Sequence, residues 1–159
     1  MKGNFNALRG LQVLMWGACA FHVIVGLGLN LGSSGFVNAM ARFYGADVKE
    51  LSPEFLYILR PLGAFMLVLG IIAALAALDP IRYRGVVYAF AALFILRATQ
   101  RVLFGAEVEE IFGVPASRNV FQMVFFYALA AALVAFERWH ATHSAPRPAP
   151  TAPRPSAVT

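Results

Sequence analysis

Four long apolar segments, at about residues 8–31, 53–78, 85–104 and 118–139, constrain this chain more than any other feature. Each holds roughly 20 or more residues, the length a helix rising 1.5 Å per residue needs to cross a hydrocarbon core about 30 Å thick. Lipid offers no partner for backbone N–H and C=O groups, so such segments are obliged to be helical. The expected fold is all-α: an integral membrane four-helix bundle over residues 1–140, followed by a disordered Pro/Ala-rich tail over 141–159 that cannot pack a core.

Composition points the same way. Apolar residues make up 60% of the chain and charged residues 13%, where a soluble domain averages about 25% charged. A chain of 159 residues lacks the interior to hide that much apolar surface from water. Cys19 is the single cysteine, which excludes an internal disulfide and a multi-cysteine metal site. The net charge is +5, but the basic residues sit at segment ends and in the tail without interleaved aromatics, so nucleic acid is not an expected partner. Lys2 and Arg9 ahead of the Leu11–Leu31 run mimic a secretory leader. That run is too long, and no polar cleavage region follows it, so an uncleaved first helix is expected.

The joints carry turn chemistry. Asp79-Pro80-Ile81-Arg82-Tyr83-Arg84 is a short polar turn, which predicts that the second and third spans are antiparallel neighbours. Pro53 suits a helix start, with Ser52 as cap and Glu54 in the first turn. Gly113-Val114-Pro115 breaks the chain before the fourth span. With the N-terminus cytoplasmic, the inner segments carry Lys2, Arg9, Arg82, Arg84, Arg138, Arg147 and Arg154, and the outer loops carry Arg42, Lys49 and Arg118. That distribution follows the positive-inside rule and predicts both termini inside. In the long outer loop, about residues 32–52, Phe36, Val37, Met40, Phe43 and Tyr44 recur at helical spacing. They predict a short amphipathic helix lying on the outer surface; the bland alternative is a loop folded over the bundle mouth, and the two are compatible.

Polar side chains within the spans are the informative ones, because hydrocarbon tolerates few. They are His22 and Asn30 in the first span, Arg60 in the second, Arg97, Gln100 and Arg101 in the third, and Asn119 and Gln122 in the fourth. On the expected topology Arg60 lies roughly 9 Å in from its outer helix end, Arg97 roughly 10 Å, Gln122 roughly 6 Å and His22 roughly 13 Å. All four helices therefore place polar groups in the outer half, and the inner half holds almost none besides Gln12. Arg60 shares a stripe with Gly63, Leu67, Gly70, Ala74 and Ala77, and small residues let helices approach closely. The expected site is an outer pocket lined by Arg60, Arg97, His22, Gln100, Arg101 and Gln122. The bland alternatives are snorkelling for the arginines and interhelical hydrogen bonds for His22, Gln100, Asn119 and Gln122. The Glu107, Glu109, Glu110 run reads as a solvated outer loop. No motif indicates a metal or a cofactor.

Leu59-Arg60-Pro61-Leu62-Gly63-Ala64, the Asp79–Arg84 turn and Arg97 late in the third span resemble the BphX-like proteins, in the neighbourhood of the DoxX-like group, over about residues 55–136. The resemblance implies a small bacterial four-helix protein of the cytoplasmic (inner) membrane and no defined activity. Some DoxX-like relatives are linked to quinone-coupled redox chemistry or to detoxification complexes. Three functions stand open. The first is a binding or accessory protein holding an anionic or polar ligand, a lipid headgroup or a quinone head, with Arg60 and Arg97 donating charge-assisted hydrogen bonds. The second is an assembly subunit, with membrane protein partners or a homo-oligomer. The third is a quinone-linked enzyme with His22 as proton carrier.

Overall fold

In the computed structural model, residues 2–46, 48 and 51–144 are described, and their regular structure is entirely helical. The helices are α1 (Lys2–Leu31), α2 (Ser34–Tyr44), α3 (Pro53–Leu78), α4 (Arg84–Leu103), α5 (Gly105–Phe112) and α6 (Ala116–Ser144). Four of them, α1, α3, α4 and α6, are long and apolar enough to cross a membrane. Their outward faces carry large apolar side chains such as Ile24, Phe65, Ile71, Leu96 and Val124, a perimeter suited to hydrocarbon and costly in water.

The helix ends follow their capping residues. Ser52 accepts from the Phe55 backbone N–H at 3.2 Å and Pro53 opens α3, so two orphan amides are dealt with at once. Ser33 caps α2 in the same way, and Gly45 closes it with φ +84°, a left-handed conformation that glycine adopts without a Cβ clash. Asp79 Oδ1 accepts from the Arg82 backbone N–H at 3.0 Å and holds the turn between α3 and α4. The fourth span runs on to Ser144, four residues into the stretch expected to be disordered. The rest of that stretch, 145–159, lies outside the described residues, as do the side chains of Lys49, Arg147 and Arg154 that entered the charge count.

The packing order differs from the chain order. α3 packs chiefly on α1, α4 chiefly on α6, and α1 also meets α6, whereas α3 and α4 touch only sparsely. The reason lies in the small-residue face of α3. A Cβ on Gly63 would fall 2.8 Å from the Asn30 backbone nitrogen and 2.9 Å from the Gly26 carbonyl oxygen, and one on Gly70 would meet Val23 at 2.7 Å. The two backbones are in direct contact along this seam, as small residues permit. The Arg60 stripe therefore does face the bundle at Gly63, Gly70 and Ala77. The core proper is built from Leu11, Met15 and Ala18 of α1, Ala73 and Ala77 of α3, Val87, Phe90 and Phe94 of α4, and Phe126, Ala130 and Leu133 of α6.

Two short helices cover one end. α2 is the expected amphipathic helix, and it folds over the mouth of the bundle, the position that the loop alternative gave this segment. Its Phe36 ring lies against Gly28, and Val37 is buried with Val25, Leu29 and Met66. α5 is a two-turn helix where a loop was expected, with Glu107, Glu109 and Glu110 exposed along it. Both helices sit at the end that carries the polar layer; the opposite end is called the plain end below.

Candidate binding cavities

α1 and α6 touch near the plain end, where the Phe136 ring would meet a Cβ on Gly10 at 2.9 Å. Further along they part. The space between them is a cavity of about 570 Å³, walled by Val13, Leu14 and Gly17 of α1 and by Phe125, Leu129 and Leu133 of α6, among others. A Cβ on Gly17 would have nothing within 4 Å. The C-terminal turn of α2 closes the covered end with Phe43 and Tyr44, and Arg118 stands beside them at the rim. From Arg118 to Leu133 the α6 wall is roughly 22 Å long at helical rise.

The walls are overwhelmingly apolar, and the polar exceptions gather at the covered end. His22 is 1% exposed and Gln122 7% exposed. His22 Nδ1 lies 2.7 Å from the Ala18 carbonyl oxygen, one turn back in α1. Its ring packs edge-on between Phe21 and Phe90, with centroids 5.4 and 5.5 Å away. Gln122 Nε2 donates to the Tyr44 carbonyl oxygen at 3.0 Å, tying α6 to α2. Arg118 does the same one turn earlier, donating through Nη2 to the Phe43 carbonyl oxygen. His22 Nε2 and Gln122 Oε1 are left buried without a hydrogen-bond partner among the described residues. Buried polar atoms are satisfied in the great majority of cases; these two belong to residues that line the cavity, and both atoms are screened from a water-sized molecule within it.

A second, smaller cavity of about 290 Å³ lies between α4, α5 and α6, lined by Arg97, Gln100, Arg101, Phe104, Val108 and Phe126. Arg97 and Arg101 are one turn apart on α4 and both face it. The Arg97 guanidinium stands over the Phe126 ring at 5.2 Å and the Phe21 ring at 6.0 Å, within the range of a cation–π attraction. Arg101 Nη1 donates to Asn119 Oδ1 at 3.1 Å, and Asn119 Nδ2 returns a bond to the Arg101 carbonyl oxygen at 3.0 Å. That reciprocal pair clamps α4 to α6. Among the described residues no carboxylate lines this cavity.

The six expected site residues thus divide. His22 and Gln122 share the large cavity; Arg97, Gln100 and Arg101 share the small one. Arg60 lines neither: it is exposed on α3, with Nε near Gly32 at the end of α1. Neither Arg60 nor Arg97 forms an ion pair among the described residues, which include Glu54, Glu107, Glu109 and Glu110 of the outer acids. Asn119 is interhelical glue, as the bland reading had it. The sequence reading missed Gly17, Tyr44 and Arg118. It also missed a polar cluster at the plain end, where buried Glu137 of α6 pairs with Arg84 at 2.9 Å and accepts from the Tyr88 hydroxyl. The signal for that cluster was present: Arg84 opens the third span and Glu137 closes the fourth, so antiparallel packing brings them to one level.

No protein-family model, no curated protein and no solved structure matches this chain.

Proposed function

We propose that this chain is an integral protein of a bacterial cytoplasmic membrane, with both termini cytoplasmic, that binds one amphipathic molecule drawn from the bilayer. The molecule lies between α1 and α6, its polar end at His22 and Gln122 and its tail along Gly17, Leu129 and Leu133. The observation that carries this reading is a cavity of about 570 Å³ between α1 and α6 whose walls are apolar except at the covered end, where His22, Gln122, Tyr44 and Arg118 line it. Small-molecule sites have this composition: mostly apolar walls with a few placed polar groups that set orientation. The volume suits a single lipid-sized or quinone-sized molecule, and the covered end suits a headgroup.

The test is native mass spectrometry of the detergent-extracted chain beside its Gly17→Leu variant. That side chain enters open space, so the variant folds while its cavity is filled. One bound amphiphile in the parent and none in the variant is the expected result. Equal retention in both, or none in either, overturns the proposal.

The small cavity favours a second reading, in which an anionic group is held by Arg97 and Arg101 beside Gln100. Two guanidinium groups over a lining without a carboxylate among the described residues are a strong, geometrically selective donor set for a phosphate or carboxylate. Substituting both arginines with glutamine is expected to release anionic lipid, such as phosphatidylglycerol, from the purified chain while leaving the occupant of the large cavity in place. Unchanged anionic-lipid retention would remove this reading.

A further inference from the structure

Arg97, Gln100 and Arg101 stand at i, i+3 and i+4 on α4, which is one face of a helix, and all three line the small cavity. Most of their donors are uncommitted. Arg97 makes no hydrogen bond and no ion pair among the described residues; the groups around its guanidinium are the Phe21 and Phe126 rings. Arg101 gives Nη1 to Asn119 Oδ1, a neutral acceptor, and the rest of its fork meets only the Tyr44 ring. The Gln100 side chain is exposed and hydrogen-bonds to nothing among the described residues. Like charges one turn apart on a helix repel, and ionised side chains within a membrane-spanning segment almost always have a partner. The remaining walls, Phe104, Val108 and Phe126, are apolar, and the exposed acids of α5 are not among the lining residues. The counter-charge that this pair of arginines calls for is therefore not supplied by the described protein groups.

We infer that the anion held in the small cavity is of the phosphomonoester class. This rests on the second reading above, that Arg97 and Arg101 hold an anion, and adds which anion. A phosphomonoester carries about −1.5 to −2 charges at pH 7 and three strong acceptor oxygens. The charge matches two guanidinium groups, and the three oxygens match the three donor side chains on this face of α4. A phosphodiester or a carboxylate brings a single charge and two such oxygens, leaves one guanidinium uncompensated, and binds more weakly. The same group is presented by a lipid that ends in a bare phosphate and by phosphate free in water. Phe104, exposed on the lining, offers apolar contact to a tail in the first case.

Calorimetry on the full chain in phosphatidylcholine nanodiscs tests the class. The probes are dodecyl phosphate, its methyl diester, dodecanoate and inorganic phosphate, with empty nanodiscs as the blank. Dodecyl phosphate is expected to bind at least about tenfold more tightly than the diester and the carboxylate, the worth of one further charge-assisted hydrogen bond. Arg97→Gln is expected to bring the three within about twofold of one another. Arg97 lines the small cavity and not the large one, so loss of the preference in that variant assigns it to the small cavity. Thermal melting checks that the variant folds. Gln100→Leu, at an exposed position, is expected to cut the preference about threefold and serves should the arginine variant not fold. Inorganic phosphate binding as well as dodecyl phosphate supports the class with a soluble source; a clear deficit supports it with a lipid source. Equal affinities for monoester, diester and carboxylate overturn the class and leave the anion reading standing. A preference that survives both substitutions also overturns it. Binding of none of the four probes removes the anion reading, and the phosphomonoester assignment with it.

Discussion

The Arg97 guanidinium stands 5.2 Å over the ring of Phe126, and that ring is a wall of both cavities. One side of Phe126 faces a space lined by aliphatic and aromatic groups; the other faces two arginines. The two halves of the expected polar pocket thus share the buried Phe126 side chain, and Phe21, another wall of the large cavity, lies 6.0 Å from the same guanidinium.

Removing the Phe126 ring should join the cavities. Phe126→Ala is expected to cost about 3–4 kcal/mol of stability, the usual consequence of emptying a well-packed aromatic site. It should also make amphiphiles in the two cavities compete for binding, where independent binding is expected in the parent chain. Equilibrium unfolding in mixed micelles measures the first effect, and competition calorimetry the second.

Two glycines should respond oppositely to enlargement. Gly63→Val drives a side chain into the α1 backbone, whose atoms lie 2.8–2.9 Å from a Cβ there, and overpacking against backbone is expected to cost about 2–3 kcal/mol. Gly17→Ala meets nothing within 4 Å and exchanges a poor helix former for the best, a gain of up to about 1 kcal/mol. Melting temperatures of the two variants in one detergent give the comparison.

Glu137 should prove the most sensitive acid in the chain. It is buried, and its partners are Arg84 and the Tyr88 hydroxyl. Arg84→Gln strands a buried carboxylate with one remaining donor, which is expected to cost about 2–3 kcal/mol, the exposure of the arginine reducing the full penalty of a broken buried pair. Adding Glu137→Gln to that variant should restore part of the loss, because an uncharged amide tolerates burial better. Failure of the second substitution to rescue the first would show that the pair does not control stability.

The Arg101–Asn119 clamp should register as a coupled pair. Arg101→Met and Asn119→Leu, made singly and together, are expected to give an interaction free energy of about 1 kcal/mol in a double-mutant cycle. Strict additivity would mean that the two hydrogen bonds do not fasten α4 to α6.

The spans were readable because hydrocarbon thickness and backbone satisfaction act on long stretches of chain: Pro53–Leu78 begins and ends where hydropathy and capping place it. The amphipathic spacing of Phe36 to Tyr44 likewise marked α2 correctly. Neighbour order was not readable from the tight Asp79–Arg84 turn. A short connection brings helix ends together, but the faces choose partners, and α3's glycines fit α1 more closely than they fit α4. The polar layer was visible residue by residue, yet its division into two cavities depends on where Phe126 points, and no periodicity encodes that. Arg60 and Arg97 look alike in depth along their helices, but among the described residues no α3 side chain lines either cavity, so Arg97 of α4 lines one and Arg60 does not. Gly17 carried no signal at all, since an open space opposite a glycine is a property of its neighbours.

The arrangement at the cavity head has a genetic corollary. The two groups that dictate where His22 and Gln122 place their protons are the main-chain carbonyls of Ala18 and Tyr44. Any residue encoded at positions 18 or 44 supplies the same oxygen. Substitutions there that preserve the packing of the Ala18 core position therefore leave the hydrogen-bonding character of His22 and Gln122 unchanged, and substitutions at His22 or Gln122 themselves rewrite it.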